Sequence, residues 1–167
     1  ADDADAVVRV AATIGRIVGH GGYRERVALA QAIEPLIDRI AGTDLLARVC
    51  MLLNGTFGTH QRERAVLLVR RCLARMASVS AADAARARWP WHLALCGLAN
   101  AEARRGDLPA AEAALVQARA LADPAWPPTR LMWQLESESF VAQARGDMAA
   151  CLDWTRRFVA MTVAAGQ

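Results

Sequence analysis

The chain has 167 residues, 54% hydrophobic and 22% charged, with a net charge of +3. That balance suits one compact domain or a short repeat array and excludes a disordered chain. It holds 37 Ala, 20 Arg and no Lys, a mixture that favours helix because Ala, Leu and Arg lose little freedom on one, and no apolar run reaches the ~18 to 20 residues that cross a bilayer.

Helices are predicted over 4–18, 23–41, 43–57, 60–77, 90–105, 108–122, 129–145 and 148–164. Pro35 falls inside the second and should kink or shorten it, since it lacks an amide donor and clashes with the preceding turn. The fourth carries Ala65, Val69, Cys72 and Met76 on one face, and the sixth carries Ala111, Leu115, Ala118 and Leu121, the stripe of a helix packed on one side. Between Ser78 and Trp89 a long connection is expected, with Ser80-x-x-Asp83 capping a short extra helix. Asp123 to Pro128, with three prolines, is the clearest break. The chain opens on Ala rather than Met and carries no signal-peptide pattern. A cytoplasmic fragment of a longer multidomain protein is the expectation.

Eight helices make four hairpins, and the sequence repeats accordingly. Arg105-Gly106-Asp107 recurs forty residues later as Arg145-Gly146-Asp147, and Tyr23-Arg24-Glu25-Arg26 is echoed by Gln61-Arg62-Glu63-Arg64. Each Arg-Gly-Asp has a mechanical meaning. Gly permits the left-handed conformation that ends a helix, Arg complements the dipole of the last turn, and Asp caps the next helix. An adhesion tripeptide would need an exposed extracellular loop, and two copies in phase fit a repeat turn better.

Charge and nucleophiles point away from catalysis. A predicted isoelectric point near 9.0 hints at an acidic partner. The densest basic run puts Arg64, Arg71 and Arg75 on one helical face, which is read first as a solvated outer face and second as a surface for phosphate or an acidic protein. Cys50, Cys72, Cys96 and Cys151 lie far apart, without Cys-x-x-Cys, and read as small buried apolar side chains in a reducing compartment. His20, His60 and His92 each sit beside a turn or a helix start and are expected to cap or face solvent. There is no Gly-x-Ser-x-Gly, no His-Glu-x-x-His and no phosphate loop. Glu136 and Glu138 stand two apart and so face different sides of a helix. No enzyme, metal or cofactor is expected, and no membrane partner.

The period and the placement of small residues resemble the tetratricopeptide repeat. The best unit runs from Trp91 to Pro124, with Leu95, Leu98 and Ala99 on the first helix, Gly106-Asp107 at the turn, and Ala111, Ala118 and Pro124 following. Glu102 replaces the usual first-helix aromatic, and Leu115 the second. The unit over 132–165 keeps Leu135 and Gly146-Asp147, while Cys151, Thr155 and Phe158 depart from the pattern. Units near forty residues exceed the ~34 of the plain repeat and resemble the sensor regions of large ATP-dependent bacterial transcription activators of the maltose-activator type. The resemblance implies a right-handed all-α superhelix of about four antiparallel helix hairpins, with units over 4–41, 43–77, 90–124 and 129–165.

It also implies that the first helix of each unit lines a concave surface where partners bind. Carried over residue by residue, the inward positions include Arg16 in the first unit and Cys50, Asn54 and Phe57 in the second. The third presents Leu93, Cys96, Asn100 and Arg104, and the fourth Trp133, Glu136, Phe140 and Gln143. Asn54 and Asn100 stand at equivalent positions, where amides in register hold a peptide backbone or a ligand's polar edge. All five tryptophans follow residue 88; most are expected in the core, with Trp133 the one on the groove. The function so implied is a sensor or interaction module in a bacterial regulator, binding a protein, a peptide or a small-molecule inducer and not nucleic acid directly. The rival is a stand-alone scaffold whose Arg64, Arg71 and Arg75 meet an acidic protein or nucleic acid.

Overall fold

The computed structural model describes residues 22–58, 60–80 and 84–164, together with Ala6. Apart from Ala6, the predicted helix over 4–18 lies outside the described residues, and Arg16 with it. Within them the chain is helical throughout and has no strand. The elements are α1 (Tyr23–Ile33), a 3-10 segment (Glu34–Arg39), α2 (Thr43–Phe57), α3 (Arg62–Ser80), α4 (Ala84–Arg105), α5 (Leu108–Leu121), α6 (Pro128–Arg145) and α7 (Met148–Ala164).

Two boundaries differ from expectation, both at prolines. Pro35 ends α1 at Ile33, and the chain tightens into the 3-10 segment instead of running as one helix to 41. Pro90, by contrast, lies inside α4. Much of the expected connection over 78–89 is helical instead, since α3 runs on to Ser80 and α4 starts at Ala84; residues 81–83, and with them the expected Ser80-x-x-Asp83 cap, lie outside the described residues. Trp89, Trp91 and Leu93 around Pro90 pack on the main core, and tertiary packing of this kind overrides the local cost of the hydrogen bond that the proline cannot make.

Both Arg-Gly-Asp turns form as their chemistry predicts. Gly106 and Gly146 have φ of +93° and +80°, a conformation that glycine adopts without a Cβ penalty. The Asp107 N–H donates back to Glu102 O at 3.0 Å and the Asp147 N–H to Ala142 O at 2.9 Å, satisfying carbonyls at the helix ends. The side chains then cap the next helices: Asp107 Oδ1 accepts from Ala110 N at 3.1 Å, and Asp147 Oδ1 from Ala150 N at 3.0 Å. These turns fold α4 onto α5 and α6 onto α7, as α2 folds onto α3. The first helices also meet one another, α2 against α4 and α4 against α6. Gly97 admits the first of these approaches, since a Cβ there would lie 3.2 Å from Met51 Sδ.

The main core gathers Ile33, Ile37, Leu46, Leu53, Phe57, Val69 and Met76, all fully buried, from α1 to α3 with the start of α4. A smaller cluster of alanines with Leu115 and Val141 joins α4, α5 and α6, while α7 has no buried residue. None of the five tryptophans is fully buried, though Trp89 and Trp91 pack against the main core. Trp89 and Trp126 instead meet edge to face at 5.5 Å beside His92, with Arg130 over the Trp89 ring at 5.2 Å. His92, expected to cap or face solvent, is instead fully buried, its Nδ1 2.9 Å from Ala118 O. Cys50, Cys72 and Cys96 are buried free thiols, and Cys151 is partly exposed.

Two carboxylates are buried with arginines. Glu102 is completely buried; it accepts from Arg70 Nη2 at 2.6 Å and from Arg105 Nε at 2.9 Å. Glu138 is 3% exposed and pairs with Arg119, whose Nε donates at 2.5 Å. No described helix is long and apolar enough to cross a membrane.

Candidate functional site: a cleft across the first helices

Where α2, α4 and α6 lie in a row, a cleft of about 310 Å³ opens over them. α2 contributes Asn54 and Thr56, with Met51 and Leu52 as an apolar wall. α4 contributes Asn100 and Arg104, and α6 Trp133 and Glu136. The helical period explains the selection. Asn100 and Arg104 are four residues apart and Trp133 and Glu136 three, so each pair shares one face.

Three side-chain oxygens of the lining residues are buried without a hydrogen-bond partner. Asn54 is 4% exposed and Asn100 3%, yet neither Oδ1 has a hydrogen-bond partner, nor does Thr56 Oγ1. Such groups are rare in a folded protein, because an unmade buried bond costs about 1–3 kcal/mol. Asn54 Oδ1 lies against Gly58: a Cβ there would stand 2.5 Å from Asn54 O, 3.0 Å from Asn54 Oδ1 and 3.2 Å from Arg104 Cδ. Arg104 lies over the Phe140 ring at 4.7 Å. Burial pulls its guanidinium below the usual arginine range against the opposing pull of Glu136, and Arg62 adds repulsion. Burial raises the Glu136 carboxyl above the usual carboxylate range, with Arg104 partly offsetting it. Trp133 is 38% exposed, an indole face presented to the cleft.

Of the residues expected on the inner surface, Asn54, Asn100, Arg104, Trp133 and Glu136 are brought together here. Phe140 and Gln143 line a smaller adjoining hollow of about 180 Å³ between α6 and α7, which shares Glu136. Cys50, Phe57, Leu93 and Cys96, also expected inward, are core residues; they sit on the flank of the helix turned to its neighbours. Arg26 of α1 lines the cleft as well. It was missed because α1 was taken as the outer helix of its hairpin, and nothing local to Arg26 signals otherwise. Glu138 turns away to Arg119 while Glu136 faces the cleft, as their spacing requires.

Arg64, Arg71 and Arg75 share a side of α3 that stays partly exposed, 36% at the Arg64 side chain and 38% at Arg71, and also meets the 3-10 segment and its flanks. Arg64 Nη2 donates to Glu34 Oε2 at 2.5 Å, Arg71 pairs with Asp38, and Arg75 Nε donates to Ile40 O at 3.0 Å. The Arg71 guanidinium holds the Asp38 carboxyl below its usual range. These cations are engaged within the fold. Among the described residues no group of His, Cys, Asp and Glu is placed to hold a metal ion.

Compared with protein-family models, curated proteins and solved structures, the chain has no match.

Proposed function

We propose that the chain is a tetratricopeptide-like repeat module, a right-handed superhelix of helix hairpins, that binds rather than catalyses. In this reading it is the cytoplasmic sensor or interaction region of a bacterial signal-transduction or transcription regulator, and its inner cleft receives a protein segment, a peptide or a small-molecule inducer. One observation carries the reading: Asn54 and Asn100, on successive first helices, line one cleft beside an exposed indole, and each is a buried amide whose oxygen has no hydrogen-bond partner. Groups kept unsatisfied at a cost to stability are retained where a ligand satisfies them. The scaffold alternative finds less support, since Arg64, Arg71 and Arg75 are already paired with acidic and carbonyl oxygens.

The test is a double variant, Trp133→Ala with Asn100→Ala, compared with the native chain against small metabolites, peptides and nucleic acid. Ligands of the cleft quench tryptophan emission in the native chain and not in the variant. A variant that keeps its fold and every partner's affinity removes the cleft from consideration. Steep loss of binding with salt would instead indicate phosphate contacts on a basic surface.

A further inference from the structure

The last helix leaves an apolar stripe in water. Met148, Leu152, Val159 and Val163 of α7 are 54%, 53%, 51% and 70% exposed, and at 3.6 residues per turn all four fall within about 60° of arc. The other exposed large hydrophobics among the described residues are Tyr23, Leu67, Val116 and Trp133, one apiece on α1, α3, α5 and α6. Single residues of that kind are ordinary on a surface, whereas a contiguous stripe marks an interaction site. The repeat shows what kind. Gly106-Asp107 and Gly146-Asp147 set α5 and α7 in the same phase, so Leu152 and Val159 stand where α5 has Glu112 and Arg119. In α5 those two positions face the next helix of the row: Glu112 accepts from Arg145 and Arg119 donates to Glu138, both on α6. The stripe of α7 is therefore a helix-docking face with apolar residues in place of ion-pairing ones.

A helix resembling α6 does not fit there, because its Glu138 and Arg145 would be set against carbon. The occupant must offer an apolar helix face of the same length, and the spacing identifies it. The gaps along the stripe are four, seven and four residues, so it reads alike from either end, the condition for a surface that meets itself across a two-fold axis. Among the described residues no other helix has more than one exposed large hydrophobic. We propose that α7 docks antiparallel on α7 of a second copy of this chain, in a two-fold dimer where Met148 meets the partner's Val163 and Leu152 the partner's Val159. None of the four lines the cleft, so the dimer stands or falls independently of ligand binding there. The stripe is about 22 Å long, and a single helix face of that length buries less than the ~800 Å² per partner of a standard interface. A dissociation constant of about 10 to 100 μM is expected.

Sedimentation of the full chain from about 1 μM to about 1 mM should follow a monomer–dimer equilibrium, and amide protection across α7 should rise in step with the dimer. Leu152→Glu acts twice in a two-fold pair and should weaken it about a hundredfold, while Leu67→Glu on α3 should leave it unchanged. Mixtures read direction and register. Leu152→Glu mixed with Val159→Lys should give heterodimers at least about tenfold tighter than either variant's own dimer, because the new charges meet across the seam; Leu152→Glu mixed with Leu152→Lys should not. Arg156, exposed beside the midpoint of the stripe, comes close to its own copy across the axis, so added salt should tighten the dimer. A chain still monomeric at about 1 mM overturns the proposal, as does association that Leu152→Glu leaves unchanged or that salt loosens. Rescue by Leu152→Lys in place of Val159→Lys would show a parallel pair and overturns it equally.

Discussion

At Glu102 a full negative charge is held out of water, while its partners keep access to it: Arg70 is 54% exposed at the side chain and Arg105 25%. That asymmetry makes the two sides of the pair unequal. Replacing Glu102 with leucine removes the buried charge and frees two arginines that can hydrate, so a loss below about 1.5 kcal/mol is expected. Removing both arginines, Arg70→Ala with Arg105→Ala, strands the carboxylate and should cost roughly 3–5 kcal/mol. Urea midpoints of the two variants measure the difference, and equal losses would contradict it. His92 gives a second residue-scale expectation. Burial lowers its pKa, against the hydrogen bond to Ala118 O, so the unfolded chain takes up a proton that the native one resists. Stability from this residue is complete above the unfolded value of about 6.5 and is lost as pH falls below it, by up to about 1.4 kcal/mol per pH unit. Unfolding curves at pH 7.5 and pH 5.5 should converge for His92→Gln relative to the native chain.

At the scale of elements, the hairpin turns are the most local features of the fold and should respond locally. Asp107→Ala and Asp147→Ala each remove a cap, at about 1 kcal/mol apiece. Gly106→Ala and Gly146→Ala meet no steric neighbour within 4 Å, so their cost is the left-handed backbone alone, about 1–2 kcal/mol. Gly146→Asn should cost less than Gly146→Ala, because asparagine tolerates that region. Thermal midpoints across the set check the order, and a costlier asparagine would refute it. These turns were legible in the sequence because helix stop, dipole complement and cap all sit within three residues. The start of α4 was not, because whether Pro90 ends a helix depends on the propensity summed over its neighbours and on what the helix packs against.

At the scale of the whole molecule, apolar burial is uneven. The largest fully buried side chains belong to α1, the 3-10 segment, α2, α3 and α4, whereas α7 buries no residue and leaves Met148, Leu152, Val159 and Val163 at 51–70% exposure. Opening of α7 therefore exposes little new apolar surface and should be cheap. In native-state hydrogen exchange, amides of α7 should lose protection well before those of α2 and the second half of α4. Uniform exchange across all seven helices would show a single cooperative unit instead.

The amino-acid sequence by itself determined the helical class, the Arg-Gly-Asp hairpins and the shared orientation of Asn100 with Arg104 and of Trp133 with Glu136. All of these follow from backbone hydrogen bonding and a period of 3.6 residues, which act within a turn or two of chain. Only the tertiary structure decided that Arg64, Arg71 and Arg75 are engaged by Glu34, Asp38 and Ile40, that Glu102 and His92 are buried, and that Arg26 reaches the cleft. Whether a charge faces water or a partner is settled by what another helix, about thirty residues away along the chain, places against it, and no local pattern encodes that neighbour.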